Sequence, residues 1–317
     1  MEDSIKKENS YKDCVAALDL GTNSSRLLIA DKKGNPLFRD VRHVALGEGL
    51  AENKCFCDRA MDRAISSYVN FKEMMDVYGV KKYRAIATAA CRMSNNTDKF
   101  LNEIKNASGI NVDVISEYEE ARLTLKGAML NAPKGKKYIF VYDLGGGSTE
   151  VTLATNEEEP KILATVSIPL GARNATEMYG LKNYSYKKAE NLRNDVFKYL
   201  SSFLEEIKGI DYKNNVALVA TSSTPLRLAA CFMGLPKYDK FEADGKSVPI
   251  KELDKMIGRM IKLNYKQRAV SPYIGPNRAP IFVAALVIFK AIYEKLEVDD
   301  MVASLKAAQE AIVFELL

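Results

Sequence analysis

Two segments of this chain, offset by 124 residues, follow one pattern, and that offset constrains the fold more than any other feature. Cys14–Asp31 reads CVAALDLGTNSSRLLIAD, and Tyr138–Thr155 reads YIFVYDLGGGSTEVTLAT. In each, an apolar run ends in Asp-Leu-Gly, crosses a short turn of small polar residues and enters a second apolar run. Two such runs around a glycine-bearing turn predict a β-hairpin, so Asp19 and Asp143 are expected at twin hairpin tips. A chain of 317 residues can bury two cores, and the repeat asks for two lobes with a cleft.

After each hairpin the periodicity alternates between helix and strand, as in mixed α/β domains. The first half predicts a helix over Asp58–Tyr78, a strand over Tyr83–Thr88, a helix over Lys99–Ala107, a strand over Val112–Ser116 and a helix over Glu117–Leu130. Asn131–Lys137 is polar, with Pro133 and Gly135 as punctuation, and is the predicted linker. The second half predicts strands over Ile162–Ile168 and Val216–Thr221 and a long helix over Tyr186–Ile207. Pro225 opens a further helix with Thr224 as its N-cap. Helices near Ile250–Leu263 and Ala279–Leu296, a last strand and a C-terminal helix follow. The division is therefore a disordered lead-in over 1–12, a lobe over 13–130, the linker over 131–137 and a lobe over 138–317. The apolar C-terminal helix is either core or the face of a homodimer.

Composition narrows the chemistry. His43 is the only histidine, so serine, cysteine or zinc catalysis built on imidazole has almost nothing to work with. Five cysteines, with no second pair beside Cys55 and Cys57, make neither a disulfide framework nor a zinc site. Without a secretory signal or a membrane-length apolar run, the chain reads as cytoplasmic and not bound to a membrane. The formal charge of +5 comes from interleaved Lys and Glu, which suits an anionic substrate and argues against nucleic acid. Hydrolysis in such a chain must run on carboxylates.

The Gly145-Gly146-Gly147-Ser148-Thr149-Glu150 turn is the clearest chemical signal. Successive glycines let backbone N–H groups approach an anion that a Cβ would hold off. A dinucleotide-binding turn must open a helix, and Thr149–Leu153 reads as a strand; a P-loop needs a Gly-Lys-Ser/Thr after its glycines, and none follows these. Asp143, closing a buried strand, needs a partner or a cation unless it only caps its own turn, and magnesium suits a site with few carboxylates and a phosphate ligand. Asp19 either backs that metal or caps its own turn. Asn23, Ser24 and Arg26, with the Thr22 and Ser148 hydroxyls, offer donors to phosphate. Arg92 supplies a two-pronged guanidinium or a surface ion pair. Among Glu117, Glu119 and Glu120, carboxylates at a helix start complement its dipole, while one of them could serve as a general base. The residue types do not choose among the three.

VAALDLGTNSSRLLIAD, LGEGL at 46–50, ATAACR at 87–92, EEARL at 119–123, DLGGGSTE at 143–150 and PLGA at 169–172 together resemble the exopolyphosphatase and guanosine pentaphosphate phosphatase family in its short, two-domain form. The Leu235–Arg278 stretch is most similar to alphaproteobacterial members. The resemblance implies two ribonuclease-H-like lobes around an interdomain cleft, the fold of actin, the Hsp70 chaperones and sugar kinases. It implies release of orthophosphate from inorganic polyphosphate, or conversion of guanosine pentaphosphate to the tetraphosphate, with magnesium or manganese. By motif position Glu120 is then the base, and Asp143 and Glu150, with Asp19, are the metal and active-site acids. Asn23, Ser24, Arg26, Arg92, Gly145, Gly146, Gly147, Ser148 and Thr224 contact phosphate. The chain departs from the family at Thr221-Ser-Ser-Thr224, which places a Cβ at Ser223 where the family has glycine. It departs again at Leu305–Ala311 (LKAAQEA), at Ala45 and at Pro280, which thins the expected phosphate-binding wall. A catalytically weak sensor of the same ligands and a small-molecule kinase of the same fold are the alternatives.

Overall fold

The computed structural model describes residues 13–317; the expected lead-in over 1–12 lies outside the described residues. The chain divides into two compact units, one ending at Leu123 and completed by Ala308–Leu317, the other running Thr124–Ala307.

Unit 1 is built on a five-stranded sheet in the order β3-β2-β1-β4-β5. β1 (Val15–Leu20), β2 (Ser24–Ala30) and β3 (Pro36–His43) form an antiparallel meander, and β4 (Lys82–Ala87) and β5 (Asp113–Val114) continue it in parallel. Residues alternate across a strand, so Ala16, Leu18 and Leu20 of β1 face a core built with helices α1 (Asp58–Val77) and α2 (Thr97–Ser108). Val15 and Ala17 face the other side, toward Leu123 of α3 (Glu117–Ala128) and Ile312 of α8 (Ala308–Leu316). Asp19 shares that second face by the same alternation.

Unit 2 repeats the plan. β6 (Tyr138–Leu144), β7 (Thr149–Thr155) and β8 (Ile162–Ile168) form the meander, β9 (Val216–Thr221) and β11 (Asp300–Ala303) run parallel to β6, and β10 (Ser247–Pro249) adds an antiparallel edge. The order β10-β11-β9-β6-β7-β8 is thus the first sheet with one strand added. Helices α4 (Ala172–Tyr179), α5 (Tyr186–Ile207), α6 (Ser223–Phe232) and α7 (Phe282–Leu296) cover one face. The continuous apolar run of α7, buried from Phe282 to Phe289, is the centre of that core. Leu125 and Ala128 of α3 pack on the opposite face, beside Ile139 and Val141. Among the described residues, no helix is long and apolar enough to cross a membrane.

The division differs from the sequence expectation in two places. The polar Asn131–Lys137 stretch is not the crossing: the change from one unit to the other falls inside α3, between Leu123 and Thr124. Asn131 belongs to unit 2, where its side chain bonds Asp244 and Ser304. The C-terminal helix also leaves the second lobe and completes the first, burying Ala308, Ala311, Ile312 and Val313 against β1, β2 and β4. Those four residues are core, while Phe314 of the same helix is half exposed. Polarity marked 131–137 as a linker because unpaired polar groups look like loop, but a helix with apolar residues on both halves crosses without any loop.

Candidate active site

The two hairpins are superposable position by position in sequence, and their turns close the same way. Gly21 N–H donates to Ser24 O at 3.1 Å, and Gly145 N–H donates to Ser148 O at 2.9 Å. A later segment then takes up the carbonyls of each turn. In unit 1 the Val44 and Ala45 amides donate to Asn23 O, and Gly47 N–H donates to Thr22 O at 2.8 Å. In unit 2 the first turn of α4 does this. Ala172 N–H donates to Gly145 O, Arg173 and Asn174 N–H donate to Gly146 O, and Asn174 Nδ2 donates to Gly147 O. With their carbonyls held, the Gly146, Gly147 and Ser148 amides donate to no protein acceptor among the described residues. Three successive turn N–H groups without a backbone acceptor have the form in which turns meet anions. Gly171 is obligatory to this turn, because a Cβ there would drive into the Gly146 carbonyl carbon and the Gly147 nitrogen.

Asn174 was missed by sequence reasoning, yet a signal for its segment existed. Leu46-Gly47 and Leu170-Gly171 stand at the same 124-residue offset as the two hairpins, so LGEGL and PLGA are one element used twice. The Glu of LGEGL is taken up by structure: partly exposed Glu48 accepts from Arg59 and Arg63 of α1.

The side chains beneath the turns differ. Asp19 pairs with Arg26 across β1–β2, and Arg26 Nη1 donates to Asp19 Oδ2 at 3.0 Å. The expected metal acid and the expected phosphate donor of unit 1 are therefore partners of each other. In unit 2 the residue opposite Asp143 is Glu150, so two carboxylates face the same side of the sheet. Glu150 is buried and accepts from Ser167 Oγ at 3.0 Å. Burial pushes the Tyr142 hydroxyl well above its ordinary value, and the charges of Asp143 and Glu150 push it further. Asn23 and Ser24 are buried in the first turn, with Asn23 Nδ2 donating to Ser24 Oγ at 3.4 Å, and Ser148 is buried in the second.

The structure also separates the three glutamates at the start of α3. Glu117 is exposed. Glu119 is saturated, accepting from Arg122 Nε at 2.6 Å and Arg84 Nη2 at 2.9 Å. Those bonds, Arg122's first, hold its carboxyl at about 2, too acidic to take a proton from water near neutrality. Glu120 is buried, and its Oε2 accepts from Arg92 Nη1 at 2.8 Å. Arg92 Nη1 also donates to Ile115 O at 3.0 Å, and its Nη2 is buried without a partner. Arg92 is thus an inward guanidinium with donor capacity left over, and not a surface ion pair.

Thr224 lies buried in the first turn of α6, but it is not the N-cap. The helix starts at Ser223, and the capping position is Ser222, at φ +83 and ψ 173. That backbone region belongs almost wholly to glycine and costs about 1 to 3 kcal/mol for other residues. The missing glycine is therefore felt at Ser222, whose Oγ is buried without a partner, and not at Ser223 as the sequence implied. Near the C-terminus, Gln309 Nε2 donates to Ala17 O of β1 at 2.9 Å and Glu310 pairs with Arg39. The altered LKAAQEA residues from Ala308 on dock α8 onto its sheet.

Residues 28–317 match the model of the Ppx/GppA phosphatase family. The chain belongs to the Ppx/GppA phosphatase family. It is 27% identical to a bifunctional 3-dehydroquinate synthase/phosphatase of Fusobacterium nucleatum over 96% of this chain and 47% of that protein's length. It is 28% identical to exopolyphosphatase 2 of Mycobacterium tuberculosis, over 89% of this chain and 90% of that protein. It therefore spans about half of the first relative and nearly all of the second. Among solved structures, an exopolyphosphatase from Cytophaga hutchinsonii superposes with a TM-score of 0.87 at 21% identity, covering 96% of this chain and 97% of that one. The Ppx/GppA member from Aquifex aeolicus gives 0.78 at 25% identity with the same coverage. These structures share the two-sheet α/β fold described above.

Proposed function

We propose that this Ppx/GppA family member hydrolyses terminal phosphoanhydride bonds, releasing orthophosphate from inorganic polyphosphate, with guanosine pentaphosphate as a second substrate carrying the same bond. The observation that carries this reading is the Gly145–Ser148 turn. Its carbonyls are tied to α4 and its Gly146, Gly147 and Ser148 amides have no backbone acceptor among the described residues, an arrangement that suits phosphate oxygens.

The carboxylates beside that turn fit a hard divalent ion. Asp143 and Glu150 are cross-strand partners, and among the described residues no group of three His, Cys, Asp or Glu side chains could hold a metal. Magnesium or manganese accepts such a two-carboxylate set, because water and substrate phosphates complete its shell. Zinc, which prefers three or four protein N and S ligands, does not fit. Bound there, the ion would neutralise charge on the phosphate oxygens. Asp19, already neutralised by Arg26, would contribute little to holding it.

The remaining work falls to the chain's own groups. The turn amides hold the terminal phosphoryl group and stabilise the charge that grows on its oxygens. Arg92, through its unpartnered Nη2, binds a phosphate oxygen and through Nη1 fixes the Glu120 carboxylate. Glu120 takes a proton from water as the water oxygen bonds to the terminal phosphorus. The bridging P–O bond breaks, and its electron pair leaves with the shortened chain. The test is phosphate release from long-chain polyphosphate and from guanosine pentaphosphate, with and without magnesium, beside Glu120→Gln. Release that requires both magnesium and Glu120 is expected, with a loss of about 10²- to 10⁴-fold in the variant. Undiminished release by Glu120→Gln removes the residue from the mechanism.

A further inference from the structure

Unit 2 holds a second arginine placed like Arg92. Arg92 stands six residues beyond Ile86, the β4 partner of Asp19, and Arg227 stands six residues beyond Thr221, the β9 partner of Asp143. The guanidinium of Arg227 lies 4.0 Å from the ring centroid of Tyr238, which fixes its plane. Its Nη1 donates to the carbonyl oxygen of Tyr273, which fixes its orientation within that plane. The edge formed by Nε and Nη2 is left over. Nε is buried without a partner, and among the described residues neither nitrogen meets an acceptor and no carboxylate pairs with Arg227. Burial holds the guanidinium below its ordinary value, with no counter-charge but the Tyr238 hydroxyl to oppose it.

A cation removed from water without a partner is expensive, and packing alone does not require one: a neutral side chain of that length would fill the same space. A guanidinium edge with two parallel N–H groups is shaped for two oxygens of one phosphoryl group. The surroundings lead toward the site already described. Ser223 and Arg227 share a face of α6, four residues and about 6 Å apart along its axis. The start of that helix follows Thr221, which pairs with Asp143.

We propose that the Nε/Nη2 edge of Arg227 is a second phosphoryl-binding subsite of unit 2, receiving a further phosphoryl group of the ligand whose terminal group is held by the Gly145–Ser148 turn. This rests on the phosphoanhydride reading above. The group is either an interior phosphoryl of polyphosphate or the 3′-diphosphate of guanosine pentaphosphate, and the experiment separates the two.

Calorimetric titrations of the whole chain carrying Glu120→Gln, so that ligand persists, would compare pyrophosphate, long-chain polyphosphate, guanosine pentaphosphate and GTP, with and without Arg227→Lys. Lysine keeps the charge and lacks the two-donor edge. The expected result is at least a tenfold loss of affinity for the longer ligands and less than threefold for pyrophosphate. A loss for polyphosphate assigns the edge to interior phosphoryl groups, and a loss for guanosine pentaphosphate but not GTP assigns it to the 3′-diphosphate. Binding by the parent with affinities unchanged in Arg227→Lys overturns the subsite alone, whereas a parent that binds none of the four overturns both the subsite and the phosphoanhydride reading. Should the substitution unfold the chain, the Nε–Hε resonance of the unsubstituted Arg227 replaces it. A shift on adding long-chain polyphosphate or guanosine pentaphosphate supports the subsite, and a resonance unmoved by either at saturation overturns it.

Discussion

The β1–β2 and β6–β7 hairpins share register and the turn hydrogen bond, yet one sets Arg26 opposite its aspartate and the other sets Glu150 there. Position 26 is Arg and its counterpart, position 150, is Glu. Position 22 is Thr where 146 is Gly, and position 23 is Asn where 147 is Gly. One topology has thus been given two chemistries. The first hairpin satisfies its aspartate internally and keeps side chains in its turn. The second strips its turn to backbone and sets two carboxylates opposite each other across its base. A repeat fixes where groups stand, and the single residue opposite each aspartate decides what they can do.

The most direct way to break that contrast is to write the first hairpin onto the second. Glu150→Arg should form the Asp143 ion pair that Arg26 makes with Asp19 and lower magnesium-dependent phosphate release by about 10²-fold or more, the order of loss for removing a main electrostatic contribution. Release rates at saturating magnesium test it, and undiminished release would mean that the acidic pair is not where the metal acts. A milder comparison replaces each aspartate in turn. Asp143→Asn should raise the magnesium concentration for half-maximal release about tenfold, about 1.4 kcal/mol, whereas Asp19→Asn should raise it less than threefold; equal shifts would put Asp19 at the metal.

The two clamping glycines sharpen the comparison through stability. A Cβ at Gly171 meets main-chain atoms of Gly146 and Gly147, whereas one at Gly47 meets the Thr22 Cγ2 methyl group, which can rotate away. Gly171→Ala should therefore cost about 3 kcal/mol and Gly47→Ala about 1 kcal/mol, measured by denaturant unfolding. The smallest effect expected is that of Glu119. Its carboxyl, held at about 2 by Arg122 and Arg84, lies below the ordinary 4.5. The stability it lends is present above about pH 4.5 and is lost as pH falls from there toward 2. Glu119→Gln should flatten the acid unfolding curve in that window and leave neutral pH behaviour close to the parent's. A curve of unchanged slope would show that the two arginines do not favour the ionised form.

Most strands were legible because burial on two faces writes continuous apolar runs, as in VAALDL and YIFVYDL, and Val216–Thr221 was found at its full extent. β3, with its charged and exposed PLFRDVRH, escaped because an edge strand need not be apolar. The expected Val112–Ser116 strand shrank to Asp113–Val114. α4 was missed as a helix, since ARNATEMY is short and mostly polar and its helical state comes from Asn174 and the turn carbonyls it meets. The candidate site divided the same way. Asp143, Glu150 and the glycines could be named from local pattern, while Asn174 and Arg227 could not, since each acquires its role only from residues distant in sequence.

The sequence by itself determined the repeated hairpins, the α/β class, the glycine-rich turn and the lone histidine that leaves carboxylates as the expected chemistry. Each is a local or periodic property, written within a few residues of where it acts. The tertiary structure alone decided that Asp19 is neutralised by Arg26, that Glu119 is spent on Arg84 and Arg122 while Glu120 meets Arg92, and that the last helix completes the first unit. Those outcomes depend on which side chains meet in space, from Arg122 three residues beyond Glu119 to Gln309 of the last helix on Ala17 of β1. Charge pairing and burial act through space, and the order of residues along the chain does not encode the distances on which they depend.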